Sequence, residues 1–319
     1  MFIRTWPAQL FDQLSYSKWK SVPGVVCLLF ASLALTACIP KVIEEAKQRA
    51  DELVATGVLR STQLFGDDYS LHYVDQGDVQ DPAFVFIHGT PGDWRIFVRQ
   101  LEDPALREDT HMVAVDRPGW GGSTIPKGAS HIETGFSEQA KYISYLLVDL
   151  RKHNRGRAVV LVGHSLGATL AASIAMEYPH LVDGAVAIAG DLTSAFAEPK
   201  WYNKLASTAL VHAVLPKDMC FANDEVIALP GNLNMMKPNW KNLSVPMLVI
   251  QGDKDGLVDP RNAEFAEQLN TQSSVTVKRF ADAGHLLLLT HAVEINALLR
   301  DFMNKVTHPA QKFSFSPNP

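Results

Sequence analysis

Apolar and polar residues alternate along this chain with two different periods. "YSLHYVDQG" (Tyr69–Gly77) alternates apolar and polar residues, the pattern of an edge or hairpin strand. "AFVFIHG", "HMVAVDRPG", "AVVLVGHS", "DGAVAIAGD" and "VPMLVIQGD" are instead short continuous apolar runs, each opening into glycine, aspartate or serine. Runs of that length suit strands buried on both faces of a parallel sheet. Helical spacing fills the intervals, most clearly over Ser137–His153 and Ser165–Glu177. The pattern predicts a doubly wound, mostly parallel α/β sheet whose ligand-binding loops follow the carboxyl ends of the strands.

Two stretches depart from that rhythm. Between "AVAIAGD" and "VPMLVIQGD" a segment of about 192–244, rich in Trp, Met, Pro and Asn, predicts a short helical cap inserted over the sheet. Near the start, Val42, Ala46, Ala50, Leu53 and Val54 recur at helical spacing and Gly57 supplies a stop, so 39–58 reads as an amphipathic spacer helix lying on the main domain, 59–306. "HPAQKFSFSPNP" closes the chain, and 307–319 is expected to be a disordered tail.

With 47% apolar and 20% charged residues, the 319-residue chain can build one large packed domain with an insertion. A net charge of −5 with no basic stripe argues against nucleic acid as a partner. Cys27 and Cys38 fall in the N-terminal apolar segment, leaving Cys220 as the sole thiol of the globular part. One thiol forms neither a disulfide framework nor a metal cluster, and Cys220 reads as a small buried hydrophobe.

The first 38 residues read as an export signal. Lys18 and Lys20 precede an uncharged run, Val22–Ile39, that ends in "LTAC". "LTAC" resembles the bacterial lipobox, which implies cleavage and lipidation at Cys38, anchoring to the cell envelope, and, with Ile39 following, an outer-membrane address. A single uncleaved helical anchor and an ordinary cleaved signal remain open alternatives.

"VVLVGHSLGATL" (Val159–Leu170) carries the chemistry. A lone serine sits between two glycines where a buried strand passes into a helix. Such a turn strains the serine backbone and lifts its hydroxyl above the sheet, beside helix N-terminal amides that favour negative charge. A nucleophilic serine needs a base, and the base needs an orienting acid. "VIQGDKDGLVDP" places Asp253 and Asp255 just after one apolar run, and "FADAGHLLLL" places His285 in a glycine-preceded loop before the last helix.

These motifs together resemble the α/β-hydrolase superfamily, in its serine-nucleophile, esterase- and lipase-like branch, over about Tyr69–Val306. The resemblance implies Ser165 as nucleophile, His285 as base and Asp255 as the orienting acid, with Asp253 bracing the turn and Asp191 in reserve. In "FIHGTPGDW" it implies an oxyanion loop, so that the amides of Thr90 and Leu166 form the oxyanion hole, with His88 as a structural brace. "DRPGWGGS" (Asp116–Ser123) resembles the family's Asp-x-x-Gly-x-Gly-x-Ser turn, with Trp120 near the pocket. Trp94 and the cap residues Trp201 and Met235 are the expected substrate contacts, within a cap that also offers Tyr202, Met219, Phe221, Met236 and Trp240.

The reaction so implied is hydrolysis of a carboxylic ester, through an acyl-enzyme on Ser165, with a lipophilic acyl group and neither metal nor organic cofactor. Serine at the elbow argues against the epoxide hydrolases and haloalkane dehalogenases of the superfamily, whose nucleophile is aspartate. Thioesterase, amidase, carbon–carbon hydrolase and perhydrolase chemistries stay open, as does a catalytically silent tethered binding protein. His88 and Asp93 also fit the His-x-x-x-x-Asp spacing of glycerolipid acyltransferases, but the separate triad makes that match a coincidence.

Overall fold

A computed structural model describes residues 40–124 and 132–308. The expected signal segment with Cys38 and most of the expected tail lie outside these residues. Eight strands form one sheet: β1 (Arg60–Phe65), β2 (Ser70–Gln76), β3 (Ala83–Ile87), β4 (His111–Val115), β5 (Val159–His164), β6 (Gly184–Ile188), β7 (Met247–Gly252) and β8 (Val275–Phe280), in the order β1-β2-β4-β3-β5-β6-β7-β8. The β1–β2 and β2–β4 pairs are antiparallel; every other pair is parallel.

The central strands explain their own composition. All five residues of β3 are buried, yet they serve two cores: Ala83, Val85 and Ile87 face one layer, while Phe84 and Phe86 face the other. The same division separates Val159 and Leu161 from Val160 and Val162 on β5. Successive side chains of a strand point to opposite faces, so a strand covered on both sides must be apolar throughout. One layer holds α2 (Phe136–His153) and α3 (Leu166–Glu177); the other holds α1 (Lys41–Ala55) and the C-terminal α7 (Ala292–Thr307). Ala46, Ala50 and Leu53 bury the inner face of α1 in that second core, and Gly57, at φ 73°, follows its end in the left-handed region.

The outermost strands were not anticipated. β1, "RSTQLF", and β8, "VTVKRF", are edge strands with most of their polar side chains exposed. Between β6 and β7 the chain leaves the sheet to form α4 (Trp201–Ala206), a turn at Ala209–His212, α5 (Lys217–Met236) and a 3₁₀ segment at Lys237–Asn242. α6 (Asn262–Glu267) follows β7. Among the described residues no helix is long and apolar enough to cross a membrane.

Candidate active site

The elbow expected at Ser165 has the backbone its sequence demands. Ser165 stands between β5 and α3 at φ 56°, ψ −127°, a left-handed conformation that a residue with a side chain adopts only under constraint. Its amide donates to the Ile188 carbonyl at 2.9 Å, which fixes the turn to the end of β6. A Cβ on Gly163 would collide with the Gly167 carbonyl, and one on Gly167 with the Ile87 carbonyl, so both flanking glycines are required by close packing. The α3 amides that follow are oriented toward the space above the serine.

His285 and Asp255 meet as expected from their order. His285 Nδ1 donates to Asp255 Oδ2 at 2.8 Å, while Asp255 Oδ1 accepts from the Leu257 and Val258 amides at 2.9 and 3.0 Å. Burial alone would raise the Asp255 carboxyl; the hydrogen bond and charge of His285, with the two amides, hold it below the ordinary carboxylate range. Asp255 is thus held as an anion against His285 Nδ1, an arrangement that suits the tautomer with the proton on Nδ1. Asp253 turns away and pairs with Arg279 at 2.7 Å. His285 engages Asp255 through Nδ1, which leaves Nε2 for Ser165; hydrogen bonds of that kind in unliganded enzymes commonly tighten only when substrate binds.

A residue without an expected role joins the two halves. His164, one position before the nucleophile, donates from Nε2 to the His285 carbonyl at 2.9 Å, and the two rings lie 4.9 Å apart. Burial, and then the neighbouring His285, lower the His164 pKa to about 3, so this ring stays neutral. Asp191, the reserve acid, is also buried nearby and accepts from Asn262 at 3.2 Å. Burial raises its carboxyl to about 6, against the opposing effects of Asn262 and His285, so it is a second, weaker acid beside the pair rather than its orienter.

The loop expected to form the oxyanion hole sits against the elbow. A Cβ on Gly89 would stand 2.7 Å from Ser165 Cβ and 3.2 Å from its Oγ, which brings the His88–Thr90 backbone within reach of any carbonyl attacked there. The Thr90 hydroxyl is buried and makes no hydrogen bond among the described residues. Both His88 nitrogens are committed: Nδ1 donates to the Gly89 carbonyl at 2.7 Å and Nε2 accepts from the Arg117 amide at 3.0 Å. Burial, then the Arg117 charge, lower its pKa to about 4. With Asp93 paired to Arg95 at 3.0 Å, the His88–Asp93 spacing forms no acyltransferase dyad.

A buried ion pair supports this loop. Arg117, fully buried, donates from Nε to the His88 carbonyl and from Nη2 to the Gly89 carbonyl, both at 2.9 Å. The same guanidinium reaches Glu225 of the cap helix α5 at 2.5 and 3.0 Å and Gln139 of α2 at 2.8 Å. Oxyanion loop, cap and α2 are thus held by one side chain.

The expected substrate contacts need correction. Trp94 is 6% exposed and packs in the core with Phe86, Phe97 and α1, because the 3₁₀ turn it opens faces inward. Trp201 and Met235, on the cap, are 73% and 66% exposed. Met236 and Trp240 are buried in the first core, while Phe221 meets Trp120 edge-on at 6.3 Å, in a small cluster with Ile132 and Ala222 between the cap and the Asp116–Ser123 turn. Cys220 is buried, with its thiol donating toward the His212 carbonyl. No cluster able to hold a metal ion occurs among the described residues.

Comparison with known proteins decides the family: the model of the "Alpha/beta hydrolase family" matches residues 84–298. The chain belongs to the α/β-hydrolase family. Within that family it is similar to Epoxide hydrolase 3 of Xenopus tropicalis, 34% identical over 73% of this chain and 74% of the relative. It is also similar to Epoxide hydrolase 1 of Caenorhabditis elegans, 25% identical over 74% of this chain and 68% of the relative. Among solved α/β-hydrolase structures, a bacterial membrane phospholipase A superposes with TM-score 0.60 at 19% identity, over 89% of this chain and 97% of the other. The thioesterase domain of the curacin biosynthetic pathway does so with TM-score 0.56 at 19% identity, over 76% and 99%. At these identities the structures testify to the fold alone.

Proposed function

We propose that this α/β-hydrolase cleaves carboxylic esters through Ser165, His285 and Asp255. The observation that carries the reading is the residue at the elbow. The chain's relatives include proteins named epoxide hydrolases, yet the strained turn holds a serine rather than the aspartate expected of epoxide hydrolases. A serine alcohol attacks an acyl carbonyl only after losing its proton, and the Asp255–His285 pair supplies a base in the required tautomer.

In this mechanism His285 Nε2 takes the Ser165 proton as Oγ bonds to the acyl carbon. The oxyanion is stabilised by the Thr90 and Leu166 amides, with the free Thr90 hydroxyl as a further donor. Collapse expels the alcohol, which His285 protonates; water then repeats the sequence and releases the acid. A lipophilic acyl group, membrane anchoring through the N-terminal segment and a place in the cell envelope belong to the same proposal.

Turnover of p-nitrophenyl esters of increasing chain length tests it. The wild-type chain should hydrolyse members of the series, and Ser165→Ala should lose at least about 10⁴-fold in kcat with unchanged circular dichroism. Epoxide hydrolysis without ester turnover would replace this reading with that of the named relatives.

A further inference from the structure

A second serine, on the opposite side of the sheet order, already stands in a complete hydrogen-bonded relay. Ser61 Oγ lies 2.9 Å from His72 Nε2, and His72 Nδ1 lies 2.8 Å from Asp116 Oδ2. Asp116 is buried, and its other oxygen accepts from the Trp94 amide at 2.9 Å while Oδ2 also accepts from the Gly122 amide at 2.8 Å. With these bonds made, Asp116 is an acceptor toward His72, so Nδ1 carries the proton and Nε2 accepts from the Ser61 hydroxyl. The His72 side chain is 14% exposed and Ser61 is exposed on the edge strand β1, which opens the hydroxyl to solvent.

We propose that Ser61 is a second nucleophilic serine that accepts acyl groups from small activated esters. Ser61 Oγ would bond to the acyl carbon while its proton passes to His72 Nε2. The carbon–oxygen bond to the leaving alcohol then breaks, the leaving oxygen takes the electron pair, and His72 returns the proton to it. Asp116 orients the ring throughout, as Asp255 does for His285. This geometry differs from the Ser165 site in one respect that sets its rate. Ser61 has ordinary strand backbone and is not followed directly by a helix, so no helix N-terminus stands ready for the developing oxyanion. The relay therefore favours a slow, stoichiometric acylation over rapid turnover.

The test uses the full-length chain carrying Ser165→Ala, incubated with p-nitrophenyl acetate and followed by intact-mass and peptide-mapping mass spectrometry. The expected product is a single acetyl group on Ser61. It should be absent from Ser165→Ala/Ser61→Ala and form at least about a hundredfold more slowly in Ser165→Ala/His72→Gln, since general-base assistance is worth about that much or more. His72→Gln keeps a side chain that can hydrogen-bond to Asp116, and the exposed Ser61→Ala change does not perturb the core, so one of the two controls survives any folding defect. Acetylation confined to lysines, or Ser61 labelling at an undiminished rate in the His72→Gln protein, overturns the proposal. Neither result bears on the ester hydrolysis proposed for Ser165, which is judged by wild-type turnover; Ser61→Ala alone should leave that turnover unchanged.

Discussion

Replacing Glu225 by alanine isolates the buried ion pair that joins the cap to the oxyanion loop. The Arg117 and Glu225 side chains are 0% and 1% exposed, and the bonds lost are those from Arg117 at 2.5 and 3.0 Å and the one from Gln139 Nε2 at 3.2 Å. An ionised group stripped of its buried partner typically costs about 3–5 kcal/mol. Arg117 would keep the His88, Gly89 and Gln139 oxygens, all neutral acceptors, which places the loss toward the lower end, about 3 kcal/mol. Urea unfolding monitored by tryptophan fluorescence and circular dichroism measures it, provided the denaturant slope matches that of the wild type. A double-mutant cycle with Arg117→Met sharpens the test. The two single losses should overshoot the double loss by at least about 2 kcal/mol, because the second change removes a charge already left unpaired. A Glu225→Ala loss below about 1 kcal/mol, or additivity within about 0.5 kcal/mol, refutes the reasoning.

Other expectations follow from single features of the site. Asp255→Asn should lower ester kcat by about 10⁴-fold with little change in secondary structure, since the amide no longer enforces the working His285 tautomer. Gly89→Ala should lower kcat by about 10²-fold while the protein stays folded, because the new methyl displaces the oxyanion loop from Ser165. Burial holds the Asp191 proton up to about 6, whereas the unfolded chain releases it near the ordinary carboxylate value. The folded state thus binds more protons within that window, and stability falls as pH rises through it. Asp191→Asn removes this loss, so its stability relative to wild type should improve by on the order of 2 kcal/mol between about pH 4 and pH 7, read from urea unfolding at each pH.

The sheet was legible wherever burial dictated composition. Runs such as "AFVFI" and "VVLV" admit no polar residue because both faces are covered, and the glycines of the elbow are forced by backbone contacts, Gly163 with the Gly167 carbonyl and Gly167 with the Ile87 carbonyl. β1 and β8 left no such trace. Each lies at an edge, and in "VTVKRF" the adjacent exposed Lys278 and Arg279 break the two-residue alternation, so local sequence alone does not set it apart from a loop. At the candidate site, Ser165, Asp255 and His285 announced themselves through short motifs at strand ends. Arg117 and Glu225 did not, because they pair across 108 residues and each looks locally like an ordinary surface charge. Trp94, Trp201 and Met235 show the opposite error. An aromatic or a methionine near a site carries no information on which way it faces, and here one faces the core while two face solvent.

His164 gives the site a mechanical property that its chemistry does not reveal. Its ring ties the strand end before the alcohol to the loop bearing the imidazole, through a bond to main chain rather than to a side chain. Sliding that loop outward would strand a sheltered donor, a penalty of about 1–3 kcal/mol. Because the ring sheds its charge at all but strongly acidic pH, acidification to about pH 4 leaves the tether intact. The loop that bears His285 and the strand end before Ser165 are thereby braced against each other through the main chain, in mild acid as at neutral pH.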